Sequence, residues 1–88
     1  MRHARSDYNR IQDPAFIIPA DEPVFLIRGK DMAGAAAVRA WALEAQNVGA
    51  DATIIDAALA HAKLMDAWAE KQIPDAPRSA LGLPEIGG

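Results

Sequence analysis

Arg28, Gly29, Lys30 and Asp31 follow four apolar residues, Val24-Phe25-Leu26-Ile27, and stand directly before an alanine-rich helical pattern. Two chemistries fit this corner. A helix start presents unpaired N–H groups and a positive dipole end, which attract phosphates and carboxylates, and a guanidinium adds a two-pronged grip on an anion. Alternatively, Asp31 takes those amides as a cap, Arg28 pairs with Asp31 or Glu22, and the corner is only a turn. Arg39, further along the helix, reinforces the anion reading if it points back to the corner or across to another subunit. Trp41, Trp68 or Tyr8 could stack on a planar ligand, because an aromatic ring offers a large flat face. For the two tryptophans, each on an apolar helical stripe, core or subunit packing is the leading reading.

Other chemistries find little support. The chain has no cysteine, which excludes disulfides, thiol catalysis and a cysteine-based metal site. Its histidines, His3 and His61, stand 58 positions apart. His61 lies between Ala58 and Met65 on an apolar face, with no serine, cysteine or acid spaced to form a triad. Asp66 and Glu70 share a stripe with Lys63 and Lys71 nearby, the pattern of a solvated charged face. No metal-binding, nucleophile-elbow or phosphate-loop motif occurs. The expectation is a non-enzymatic protein without metal or cofactor.

The elements that must hold these residues are few. Residues 1–23 contain Pro14, Pro19 and Pro23 and predict an extended arm whose Phe16, Ile17 and Ile18 need burial. Residues 24–73 predict one strand, Val24 to Ile27, followed by two helices. Asp31 caps a helix from Met32 to Asn47, Gly49 ends it, and Asp51 caps a second from Ala52 to Gln72, before Pro74. So short a connection makes the helices antiparallel neighbours. Gly34, Val38, Trp41, Ala45 and Val48 form one expected seam, and Ile54, Ala58, His61, Met65 and Trp68 the other. Residues 74–88 predict an irregular tail.

Alanine fills 15 of the 37 positions from Ala33 to Ala69. Small side chains allow close helix approach but bury little area each, so a lone hairpin of 88 residues is marginal and a homo-oligomer is expected. Net charge is −3 and unevenly spread. Arg2, Arg5, Arg10, Arg28 and Lys30 face four acids in residues 1–30, whereas Arg39, Lys63, Lys71 and Arg78 face eight beyond them. An acidic helical body makes nucleic acid a poor partner. No apolar run spans a bilayer and the N-terminal stretch lacks a secretory apolar segment, so the expected location is cytoplasmic.

The phrases YNRIQDP, IPADEPVFLIRGKD, AAAVRAWA and HAKLMDAW resemble a group of small proteins carried by tailed phages and prophages, over roughly residues 8 to 70. EPVFLIRGKD, followed by a helix bearing Val38-Arg39 and Trp41-Ala42, is the most specific part. The resemblance transfers no catalytic residue. It implies a setting in which small proteins inhibit or sequester host defence components, form minor virion parts or regulate. In architecture alone the hairpin is also similar to small helical phage proteins that hold nucleotide immune messengers between subunits. The combined expectation is an anti-defence protein that sequesters a small anionic ligand through Arg28, Lys30 and Arg39, with a stack from Trp41 or Tyr8. The alternative is a protein–protein interaction module, a host-protein inhibitor or minor virion component, using its wide apolar helical face.

Overall fold

A computed structural model describes residues 2, 3, 5, 8 and 13–75. It is mainly helical, with two packed helices and one small strand pair. Two compact units form, one of them running from Ile27 to Pro74 and containing both helices.

In that unit α1 spans Gly34–Asn47 and α2 spans Ala52–Ala67. The turn between them follows from local chemistry. Gly49 takes φ +85°, a conformation that side chains bearing Cβ rarely adopt, and its N–H donates to the carbonyl of Gln46. The Ala50 N–H reaches back to Ala45 at 2.9 Å, which completes the double hydrogen bond of a Schellman cap. Asp51 then caps α2, its carboxylate accepting from the Thr53 N–H at 2.7 Å. The chain reverses in four residues and α2 returns along α1, as expected.

The seam between the helices is narrower than the predicted one. Gly34, Ala35, Ala42 and Ala45 of α1 and Ala62 and Met65 of α2 are buried, with Val38 and Ile27 packed against them. Trp41, Val48, Ile54, His61 and Trp68, predicted to lie in the seam, are exposed. Close approach selects alanine: an indole between these axes would push them apart. Gly34 shows how tight the packing is, since a Cβ there would lie 2.8 Å from the Arg28 carbonyl oxygen and 2.9 Å from Met65 Cε.

Both helices are also shorter than predicted. Asp31 accepts from the Ala33 N–H at 2.7 Å, but this closes a turn ahead of α1. Ala33, the residue at the cap, makes no side-chain capping bond. α2 stops at Ala67 because the chain beyond it is drawn to the start of the unit. Gln72 donates its N–H to the Lys30 carbonyl (2.7 Å) and accepts from the Met32 N–H (3.0 Å), a parallel bridge that ties the two open ends of the hairpin.

In the other unit, β1 (Arg2–His3) pairs in parallel with β2 (Pro23–Val24), Arg2 opposite Pro23 and His3 opposite Val24. The predicted strand from Val24 to Ile27 therefore reduces to its first residue, with Pro23 before it; Phe25 to Ile27 lie outside the ladder. It does find its partner in the arm. Phe16 and Ile17, expected to be buried, are exposed, and Ile18 is half-buried. Phe16 takes φ +52°, held by its N–H on the Asp13 carbonyl and by the Ile18 N–H on the Asp13 carboxylate. Arg5 pairs with Asp75 at 3.1 Å. Of the predicted tail, Pro74 and Asp75 lie in no regular element, and the rest falls outside the described residues.

Candidate functional site

An open cavity of about 340 Å³ lies within the helical unit, lined by Arg28, Gly29, Lys30, His61, Leu64, Met65 and Trp68. It brings the opening corner and the second half of α2 together. Three contacts fix the corner. The Asp31 N–H donates to the Arg28 carbonyl at 3.1 Å, making the turn. Gln72 holds Lys30 through the backbone bridge described above. Lys71 donates its ammonium to the Gly29 carbonyl (2.9 Å) and to the Met65 carbonyl (2.5 Å). The second of these joins the Trp68 N–H, which donates to the same Met65 carbonyl at 3.2 Å, in closing the last turn of α2. Gly29 packs beside Trp68, whose Cβ would stand 3.6 Å from a Cβ placed on the glycine.

The corner is thus a structural turn and also a bearer of cations. Arg28 is exposed and Lys30 half-buried, and among the described residues neither makes an ion pair. Asp31 spends its carboxylate on the Ala33 N–H rather than on Arg28. The cavity runs along α2 and does not include the N-terminus of α1, so any recognition of an anion here rests on side chains.

The five predicted ligand residues separate. Arg28 and Lys30 line the cavity. Arg39 lies elsewhere on α1 with its guanidinium on the Asp66 carboxylate, and that hydrogen bond holds the Asp66 carboxyl below its ordinary value. Trp41 is half-exposed and outside the lining. Tyr8 belongs to the other unit, where the Arg5 guanidinium lies 4.9 Å from its ring centroid. Trp68 and His61 take the places beside the cations instead. The sequence already sets His61 and Trp68 on one expected face, with Ile54 a further seven residues back; the nearness of that face to the corner has no local signal.

Among the described residues no group of three or more histidines and acids could hold a metal ion. No helix of the described residues is long and apolar enough to cross a membrane. Comparison with family models, curated proteins and solved structures finds no match to this chain.

Proposed function

We propose that this chain is a non-catalytic binding protein for a small planar anion, held in the cavity beside Trp68. The observation that carries this reading is the presence of two cations that make no ion pair among the described residues, Arg28 and Lys30, in one cavity with an exposed indole and an imidazole. Trp68 and Leu64 offer apolar surface to a flat ring, and the guanidinium and ammonium offer charge-assisted donors to a phosphate or carboxylate. A nucleotide combines both parts. In the setting implied by the resemblance to phage and prophage proteins, sequestration of a nucleotide messenger of host defence follows.

Purified protein incubated with a cellular nucleotide extract, washed and denatured, releases a phosphorylated aromatic compound detectable by mass spectrometry. Arg28→Ala protein treated in the same way releases none. Equal release from both, or release from neither, counts against the reading.

A second reading, a protein–protein interaction module, is favoured by one further observation. Trp41, Val48, Ile54, Leu64 and Trp68 are all half or more exposed. A patch of this kind on a soluble fold marks an interaction surface.

A further inference from the structure

α2 carries a second seam beside the one it uses on α1. Ile54 and His61 of α2 and Trp68, its C-terminal cap residue, recur every seven residues, with Ala57 and Leu64 between them, and all five are exposed. This is the a/d rhythm by which one helix receives another. α1 contributes to the same side of the hairpin. Trp41 precedes the seam residue Ala42, and His61 precedes the seam residue Ala62. In antiparallel neighbours, positions one residue before the seam fall on one side. The ion-paired Arg39 and Asp66 mark the other. Val48 follows Trp41 by seven, with Glu44 the one charged residue between them in that rhythm.

We propose that this stripe receives a second copy of the chain, so that two hairpins form a four-helix bundle. Three observations select that occupant. The first is area. Trp41 is 50% exposed, Val48 75%, Leu64 66% and Trp68 58%. With Ile54 these leave roughly 600 Å² of apolar surface per copy, at or above the largest patch of a typical monomer. Two such faces together cover roughly 1,200 Å², the lower bound of a standard stable interface.

The second is the core. Among the described residues its buried hydrophobics are Ala35, Ala42, Ala45, Ala62 and Met65, four of them alanine, so the larger apolar side chains are left for a surface outside the hairpin. The third is charge. The α2 part of the stripe carries no acid, lysine or arginine. A copy placed against a copy therefore sets no like charges opposite one another there, and the helical spacing of each face matches that of its twin. His61 is the one polar group on the α2 part of the stripe, the kind of residue that fixes register in a bundle. The cavity shares His61, Leu64 and Trp68 with the stripe, so the pairing puts the cavity at the boundary between copies.

Sedimentation equilibrium of the full chain tests the proposal. The expected species is a dimer of the 9.4 kDa chain, and emission from its two tryptophans shifts to the red on dilution as the indoles meet water. Ile54→Glu and Trp41→Glu, both outside the cavity lining, each weaken self-association by about 30-fold or more, the effect of losing a central contact. Leu43→Glu, one turn from Arg39 on the other side of α1, leaves it unchanged. Because the chain has no cysteine, a single His61→Cys substitution gives a second readout that needs no disrupted interface. Such a chain cross-links to its twin on oxidation, and the Leu43→Cys chain does not. A monomeric wild type, or a dimer that survives both stripe substitutions, overturns the proposal. Association lost on removal of residues 76–88 would assign the face to that segment and overturn it too. Arg28→Ala leaves the dimer intact, so failure of ligand binding and failure of pairing are read separately.

Discussion

The guanidinium of Arg39 on α1 holds the carboxylate of Asp66 on α2, on the side of the hairpin away from Trp41 and His61. This one contact takes Arg39 out of reach of the cavity and gives it a role in joining the helices. Both side chains are about half exposed, so the contribution to stability is small and weakened by salt.

Arg39→Ala therefore leaves ligand release unchanged and lowers the thermal midpoint slightly. The exchanged pair, Arg39→Asp with Asp66→Arg, recovers the loss. Calorimetric unfolding of the single and double variants measures the coupling directly.

Acid should loosen the hairpin. Hydrogen bonds from Thr53 hold the Asp51 carboxyl below its ordinary value, and the hydrogen bond from Arg39 does the same for Asp66. A carboxyl lowered in the folded state adds stability that is present above its unfolded value, about 4, and is lost as pH falls through the folded value. Stability should thus decline as pH drops below about 4. Asp51→Asn keeps a capping oxygen that does not titrate, so its stability falls less steeply with acid. Denaturant unfolding as a function of pH reads the two slopes.

Gly34 and Gly29 should respond differently to alanine. A Cβ on Gly34 meets the Arg28 carbonyl oxygen at 2.8 Å and Ile27 Cγ2 at 3.1 Å, and backbone cannot step aside cheaply. Gly34→Ala should cost about 1–3 kcal/mol by overpacking, more than the helix propensity it gains. Gly29→Ala meets only ordinary contacts, the nearest 3.6 Å away, and should be close to neutral. Chemical denaturation of both variants decides it.

Phe16 holds a left-handed backbone with its ring in solvent, 91% exposed. Phe16→Asn relieves about 1 kcal/mol of that strain and loses almost no ring contact. Amide exchange at Ile18, whose N–H is bonded to the Asp13 carboxylate at 2.8 Å, should slow in the variant.

The hairpin was legible in the sequence because its signals are local: Gly49 for the reversal, Asp51 for the cap, and alanine over both helices. The seam was misplaced by about one residue on each helix. Periodicity weights the large apolar residues, so Trp41 and Trp68 drew the seam toward themselves. The structure gives it to alanine because only small side chains allow the approach that Gly34 and Met65 show. The end of α2 was unreadable for another reason, since the chain leaves the helix after Ala67 and Gln72 bridges Lys30 and Met32, a tertiary event with no local mark. The same fold-back decides the candidate site. Arg28 and Lys30 could be singled out by type, but their neighbours Trp68 and His61 arrive only when the chain after α2 closes on the corner.

Calorimetric titration with a nucleoside monophosphate tests the binding reading most directly, run on wild type and on Arg28→Ala with inorganic phosphate and the free nucleoside as partial ligands. The account predicts that wild type binds the nucleotide more tightly than either part alone, because Trp68 takes the ring while Arg28 and Lys30 take the phosphate. Loss of one charge-assisted hydrogen bond, roughly 1.5–3 kcal/mol, should weaken Arg28→Ala by about 10- to 150-fold, with unfolding unchanged. Equal affinity in the two proteins, or no heat of binding in wild type, would contradict it.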